Sequence, residues 1–135
     1  STVSDASLLV EGLIFSNRIL GFVNAPSLFQ KIVANSLEAS VDIGFYEERR
    51  NLLYNSLVEL GFTCTKPDGA FYLFPKSLID DDVEFAKRAL KYNLLIVPGE
   101  GFGWPGHFRL SYCISIETIK NSISAFEALA KEFIK

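Results

Sequence analysis

HFRLSYC, residues 107–113, alternates polar and apolar side chains with a period of two, which predicts a strand with two unlike faces. The apolar face would carry Phe108, Leu110 and Tyr112, and the polar face His107, Arg109 and Ser111. An arginine inside a strand of a compact domain is costly unless an anion meets its charge. Because the planar guanidinium matches a pair of carboxylate or phosphate oxygens, Arg109 indicates either a ligand carboxylate or a structural salt bridge.

Two earlier stretches, KPDGAFYLFPK (66–76) and LLIVPGEGFG (94–103), predict the rest of a small sheet. Strands are expected over 62–65, 70–74, 94–97 and 108–113. Apolar periodicity and cap residues predict helices over 6–20, from Pro26, over 41–60 before Gly61, from the aspartates at 80–82, and after Ser115. The alternation predicts an α/β fold, a two-layer sandwich preceded by N-terminal helices, whose mixed sheet of about four strands carries helices mainly on one face.

Composition narrows the class of protein. The chain has 135 residues, of which 49% are hydrophobic, so it can bury a real core. A net charge of −3 argues against nucleic acid or an anionic membrane as a partner. Cys64 and Cys113 are too few for a disulfide scaffold and lack metal-ligand spacing, so two buried thiols are expected. No signal peptide or membrane-length apolar run is visible, which favours a cytoplasmic protein.

The three segments in order, P-x-G-A-F-Y-x-F, V-P-G-x-x-F-G and F-R-L-S-Y, resemble the C-terminal part of class I/II aminotransferases. These are pyridoxal-phosphate enzymes of the aspartate aminotransferase fold type. Asn24-Ala25-Pro26, and Tyr46 followed by Arg50, also look like this family. The resemblance implies transfer of an amino group from an amino acid to a 2-oxo acid, with Arg109 binding the substrate α-carboxylate. It implies Phe71 and Asn24 as further substrate-binding candidates.

The resemblance also implies that much of the enzyme lies outside this chain. The family's Schiff-base lysine belongs to a large domain upstream, and the lysines here lie on polar helical stretches or beside the GAFY strand. We therefore predict no catalytic, cofactor-binding or metal residue in this chain, and pyridoxal phosphate in the parent enzyme but not on this chain. The absence of methionine favours a piece of a longer protein. Residues 1–38 are predicted to be a helical segment that packs on the large domain, and 39–135 the small domain.

An exposed apolar surface is expected on the first segment of the isolated chain, and with it a homodimer. The candidate residues are Leu8, Leu13, Phe15, Phe22 and Phe29. An alternative from another class is a non-catalytic α/β association module in which Arg109 is structural. The literal G-x-G-x-x-G at 101–106 is not a dinucleotide site, because Pro105 and a strand follow where a helix would have to begin. It predicts instead a flexible loop beside Arg109.

Overall fold

The computed structural model describes residues 4–134, which divide into two compact units, the first ending at Val41 and the second beginning at Asp42. The first unit contains helices α1 (Ala6–Ile19) and α2 (Ser27–Ala34). Both helices were predicted, and Pro26 occupies the position just before α2. Every residue from 4 to 41 is exposed, so the apolar stripes of these helices form no core of their own.

The second unit alternates helices with short strands. Its elements are α3 (Ile43–Glu59), β1 (Tyr72–Leu73), α4 (Asp82–Ala89), a 3₁₀ turn (Leu90–Tyr92), β2 (Val97–Pro98), a second 3₁₀ turn (Glu100–Phe102), β3 (Phe108–Ser111) and α5 (Ile116–Lys131). The long helices α3 and α5 begin at side-chain caps, of which the Ser115 cap was predicted and the Asp42 cap was not. Asp42 accepts from Phe45 N at 3.1 Å, and Ser115 accepts from Thr118 N at 3.1 Å.

Gly61 ends α3 in the left-handed conformation that the sequence predicts, with φ of +90°. Phe62 N then donates to Leu57 O at 3.0 Å, which satisfies a carbonyl of the last helical turn. The expected strand over 62–65 does not form. Phe62 is buried in the core. Lys76 N donates to Thr63 O at 2.8 Å, but residues 62–65 do not form a strand.

The sheet has three strands in the described part of the chain, in the order β1-β3-β2. The expected α/β fold is confirmed, but the expected mixed sheet of about four strands is wrong in detail, since both adjacent pairs are antiparallel. Because β3 runs antiparallel to both of its neighbours, β1 and β2 point the same way, but a mixed sheet would require two neighbouring strands to be parallel. Because β3 lies between them, the two are not neighbours.

The core lies against the apolar face of β3. Phe108 and Leu110 are buried, and Phe108 packs against Phe85 of α4 and Phe62, with ring centroids 5.2 and 5.9 Å apart. Phe62 also packs edge-on against Phe126 of α5. The alternation read from the sequence therefore holds, and it leaves Arg109 half-buried on the other face. No helix in residues 4–134 is long and apolar enough to cross a membrane.

Candidate functional site

Arg109 lies at the centre of the polar face of the sheet. It is paired across the ladder with Val97 of β2, and Tyr72 of β1 is paired with Ser111, two residues further along β3. Within residues 4–134 no carboxylate oxygen lies within 4.0 Å of its guanidinium. A structural salt bridge, one of the two readings of this arginine, is therefore absent from the described part of the chain.

Two aromatic rings contact the guanidinium instead. Its central carbon lies 4.4 Å from the ring centroid of Tyr72 and 4.3 Å from that of Phe102. Both distances are well inside the roughly 6 Å at which a cation is attracted to an aromatic face. Such contacts stabilise the cation without using its N–H groups, so the site can still take a planar anion.

The loop between β2 and β3 supplies the Phe102 ring. Gly99 N donates to His107 O at 2.8 Å, and Phe102 N and Trp104 N both donate to Gly99 O, at 2.8 and 3.1 Å. Trp104 Nε1 also lies 3.3 Å from His107 Nε2, an acceptor when that nitrogen carries no proton. The loop expected beside Arg109 is thus present, and it is a hydrogen-bonded turn.

The turn before β1 is braced from two sides. Arg50 of α3 donates to Pro67 O at 3.2 Å, and the buried Tyr112 hydroxyl donates to Ala70 O at 2.6 Å. Ala70 has φ of +66°, a left-handed conformation that costs a residue with a Cβ about 1–2 kcal/mol. Burial raises the pKa of Tyr112, so its hydroxyl stays protonated as a donor to this strained turn.

The predicted substrate-binding residues occupy different places. Arg109 and Phe71 belong to the second unit, and Asn24 lies in the exposed bend before α2 in the first. The Phe71 ring packs 5.4 Å from Tyr46, whereas its neighbour Tyr72 contacts Arg109. From the sequence alone it was open whether Phe71 or Tyr72 lines the site, and the contact between Phe102 and Arg109 was not predicted. The signal that could have indicated this contact is the Phe-Gly pair in the loop just before the strand that carries Arg109.

One cavity of the second unit does not include Arg109 in its wall. It has a volume of about 400 Å³ and is lined by Leu94, Leu110 and Phe126 among others, with no titratable side chain in its wall. An apolar hollow of this kind cannot perform acid–base chemistry. This cavity is therefore a weaker candidate for a catalytic site than the surroundings of Arg109.

The fold and these motifs recur in known proteins. The sequence profile described as "Aminotransferase class I and II" matches residues 9–126. The chain belongs to this aminotransferase family. An amino transferase from Eubacterium rectale is 49% identical, with a TM-score of 0.85 over 88% of this chain and 30% of its own. The aspartate aminotransferase of Bacillus subtilis (strain 168) is 38% identical over 96 residues, 64% of this chain and 24% of its own length.

An aromatic-amino-acid aminotransferase of Thermococcus litoralis is also similar, 37% identical over 94 residues, 64% of this chain and 24% of its own length. The chain thus spans about a quarter of the length of the curated relatives it matches. The family implies pyridoxal phosphate in the complete enzymes.

The residues described here do not fit the covalent attachment of that cofactor. A Schiff-base lysine needs a desolvated amine or a neighbouring cation. All lysines of residues 4–134 are exposed, and the ammonium of Lys131 is paired with Glu127 at 2.6 Å. Lys135 lies outside the described residues.

The two cysteines differ from each other. Cys64 is half-buried, and this burial raises the pKa of its thiol. Cys113 is exposed, so the expectation of two buried thiols is wrong for it. The alternation predicts that Ser111 and Cys113 lie on the same polar face of one strand. In the structure β3 ends at Ser111, so Cys113 lies beyond the strand. Within residues 4–134, no group of three or more metal-ligating side chains is placed to hold an ion.

Proposed function

We propose that this chain is the C-terminal part of a pyridoxal-phosphate-dependent aminotransferase and that Arg109 binds the α-carboxylate of its substrate. The supporting observation is a half-buried guanidinium on a sheet face, in contact with two rings and without a carboxylate partner in the described residues. A bidentate pair with a substrate carboxylate would fill that role. The substrates are an amino acid and a 2-oxo acid.

The chemistry of amino transfer belongs to the cofactor and to residues outside those described here. What this chain contributes is orientation: a fixed carboxylate restricts the substrate to one pose before reaction. Phe71 and Asn24 remain proposed as further substrate contacts. We also propose that residues 1–38 pack on a large domain and that 39–135 form the small domain, in a protein of the cytoplasm.

Replacing Arg109 by Lys in the complete enzyme tests the assignment. Lysine keeps the positive charge but has no planar fork. Catalytic efficiency toward a substrate amino acid should therefore fall, whereas efficiency toward an amine that has the same side chain and no carboxylate should not. An equal loss for both substrates would instead favour the alternative, in which Arg109 is a structural residue of the strand.

The chain by itself should carry no covalent pyridoxal phosphate and should show no aminotransferase activity. The reason is that its described lysines are exposed and none is desolvated. The purified chain would be incubated with the cofactor, reduced with borohydride and analysed by intact mass spectrometry, with the complete enzyme treated in parallel. A stoichiometric pyridoxyl adduct on one lysine of the chain would contradict this expectation.

The isolated chain should also self-associate. The five apolar residues expected at the surface, Leu8, Leu13, Phe15, Phe22 and Phe29, are 58–73% exposed. Burying apolar area is worth roughly 25 cal/mol per Å², so pairing of two copies through these helices is favourable. Sedimentation over a range of concentrations should show a dimer or larger species. The double variant Leu13→Gln/Phe22→Gln should weaken association, whereas Glu11→Gln should not; a wild-type chain that stays monomeric at high concentration would refute the proposal.

A further inference from the structure

Phe102 reaches Arg109 from outside the sheet. Tyr72 belongs to β1 and is held by the ladder to β3, so its contact with the guanidinium follows from strand pairing. Phe102 belongs to the loop, and its ring centroid is nevertheless as close, 4.3 Å against 4.4 Å. Two separate elements of the fold therefore meet on one guanidinium.

The loop holds the Phe102 ring in place. Glu100 N donates to the carboxylate of the buried Asp82 at 2.7 Å, and Gly103 N donates back to Glu100 O at 3.0 Å. The Phe102 ring also packs edge-on against Phe74, with centroids 6.2 Å apart. These contacts tie the turn to α4 and the ring to the strand region, so Phe102 is supported independently of any ligand.

A long flexible arginine loses considerable rotamer freedom when it is fixed in one geometry. Contacts that fix it before the ligand arrives remove that cost from binding. Aromatic faces suit this purpose, because they attract the cation without occupying its in-plane N–H donors. A carboxylate or carbonyl partner would compete with the substrate for the same donors.

We propose that Phe102 is a positioning residue for substrate binding, which acts through Arg109. Together with Tyr72 it holds the guanidinium so that its N–H fork is presented to the substrate carboxylate. The inference rests on the proposed carboxylate role of Arg109 and adds to it a residue that touches neither the carboxylate nor the reacting atoms. Its ring, and not only its volume, is what matters.

The test compares Phe102→Leu with Phe102→Tyr in the complete enzyme. Leucine keeps an apolar side chain but has no aromatic face, whereas tyrosine keeps the ring. Phe102→Leu should lower kcat/KM for the amino acid about fivefold, mainly through KM, because the carboxylate is held in ground state and transition state alike. Phe102→Tyr should stay within about twofold of the wild type, since a tyrosine face also attracts a cation.

A matched control removes a ring from another arginine. Phe133→Leu deletes the ring 5.3 Å from the Arg88 guanidinium and should leave the kinetics unchanged. For the amine without a carboxylate, kcat/KM should be unchanged by Phe102→Leu. In the Arg109→Lys background, Phe102→Leu should add no further loss, because its effect passes through the guanidinium fork.

The outcomes separate the two proposals. If Arg109→Lys impairs the amino acid selectively but Phe102→Leu matches the wild type, or the two losses add, the positioning role of Phe102 is refuted and the carboxylate role stands. If Arg109→Lys shows no selectivity, both are refuted. In the 135-residue chain, the side-chain NMR signals of Arg109 should shift in Phe102→Leu when the ring is lost. Unchanged signals would show that the contact is not made in solution.

Discussion

Arg109→Lys in the complete enzyme should lower catalytic efficiency toward amino acids by about one to two orders of magnitude. A charge-assisted, partly desolvated pair is worth about 1.5–3 kcal/mol, and each 1.36 kcal/mol corresponds to a factor of ten. Lysine retains the charge at this position but cannot form two parallel hydrogen bonds with one carboxylate. The cofactor should remain bound, since Arg109 is proposed to contact the substrate alone.

Steady-state kinetics on an amino acid and on its carboxylate-free amine would measure the effect. Catalytic efficiency toward the amine should change by less than about threefold, because the amine has no carboxylate to bind the Arg109 guanidinium. Arg88→Lys is the matched control: it alters an arginine of the same unit that is paired with Glu84 at the surface, and such pairs contribute little. Release of the cofactor from Arg109→Lys, or an equal slowing of both substrates, would mean that the arginine is structural.

The sequence predicts the location of Arg109 because the period of a strand is a local property. Phe108 and Leu110 are buried and Arg109 is not, as the alternation requires. The helix start at Ser115 was predicted for the same reason, since a cap is a contact between residues three apart. Local chemistry determines these features without knowledge of the rest of the fold.

Contacts between residues that are distant in the chain could not be predicted in this way. Tyr72 meets Arg109 only because β1 pairs with β3 in one register, and residue spacing does not specify that register. The expected strand over 62–65 has strand-like composition, but Phe62 is buried in the core as the chain leaves α3. The positive φ of Ala70 has no sequence signal, because alanine rarely adopts it.

The first unit shows a further limit of periodicity. Apolar residues at helical spacing predicted α1 and α2 correctly, and the same pattern usually indicates burial. Here the described residues of this unit are all exposed. A pattern shows that a helix has an apolar face, but what covers that face depends on surfaces that the pattern does not contain.

Gly99→Ala should be the most destabilising single methyl addition in the loop beside Arg109. Gly99 has φ of −74°, an ordinary value, so its backbone conformation does not require glycine. Space does: a Cβ at this position would lie 2.3 Å from Trp104 O and 2.9 Å from His107 O. Both are backbone atoms that cannot move aside as the end of a side chain would, so the loop itself must shift.

That shift would weaken the hydrogen bonds that define the turn, from Gly99 N to His107 O and from Trp104 N to Gly99 O. We expect a loss of about 3 kcal/mol in the free energy of unfolding, at the upper end of the range for overpacked sites. For a domain of about 60–100 residues, the size range of the second unit, such a loss corresponds to a fall in Tm of about 12–24 °C. Thermal unfolding of the 135-residue chain followed by circular dichroism would measure it.

Gly101 provides the matched control, because it lies in the same 3₁₀ turn and a Cβ there would meet nothing within 4 Å. Gly101→Ala should therefore change stability by no more than about 0.5 kcal/mol. Equal effects of the two alanines would show that close approach of the backbone is not what selects glycine at 99. Since the same turn supports Phe102, any folded Gly99→Ala enzyme should also bind the amino acid more weakly. Its activity toward the carboxylate-free amine should be less affected, because loss of the Phe102 contact acts only through Arg109.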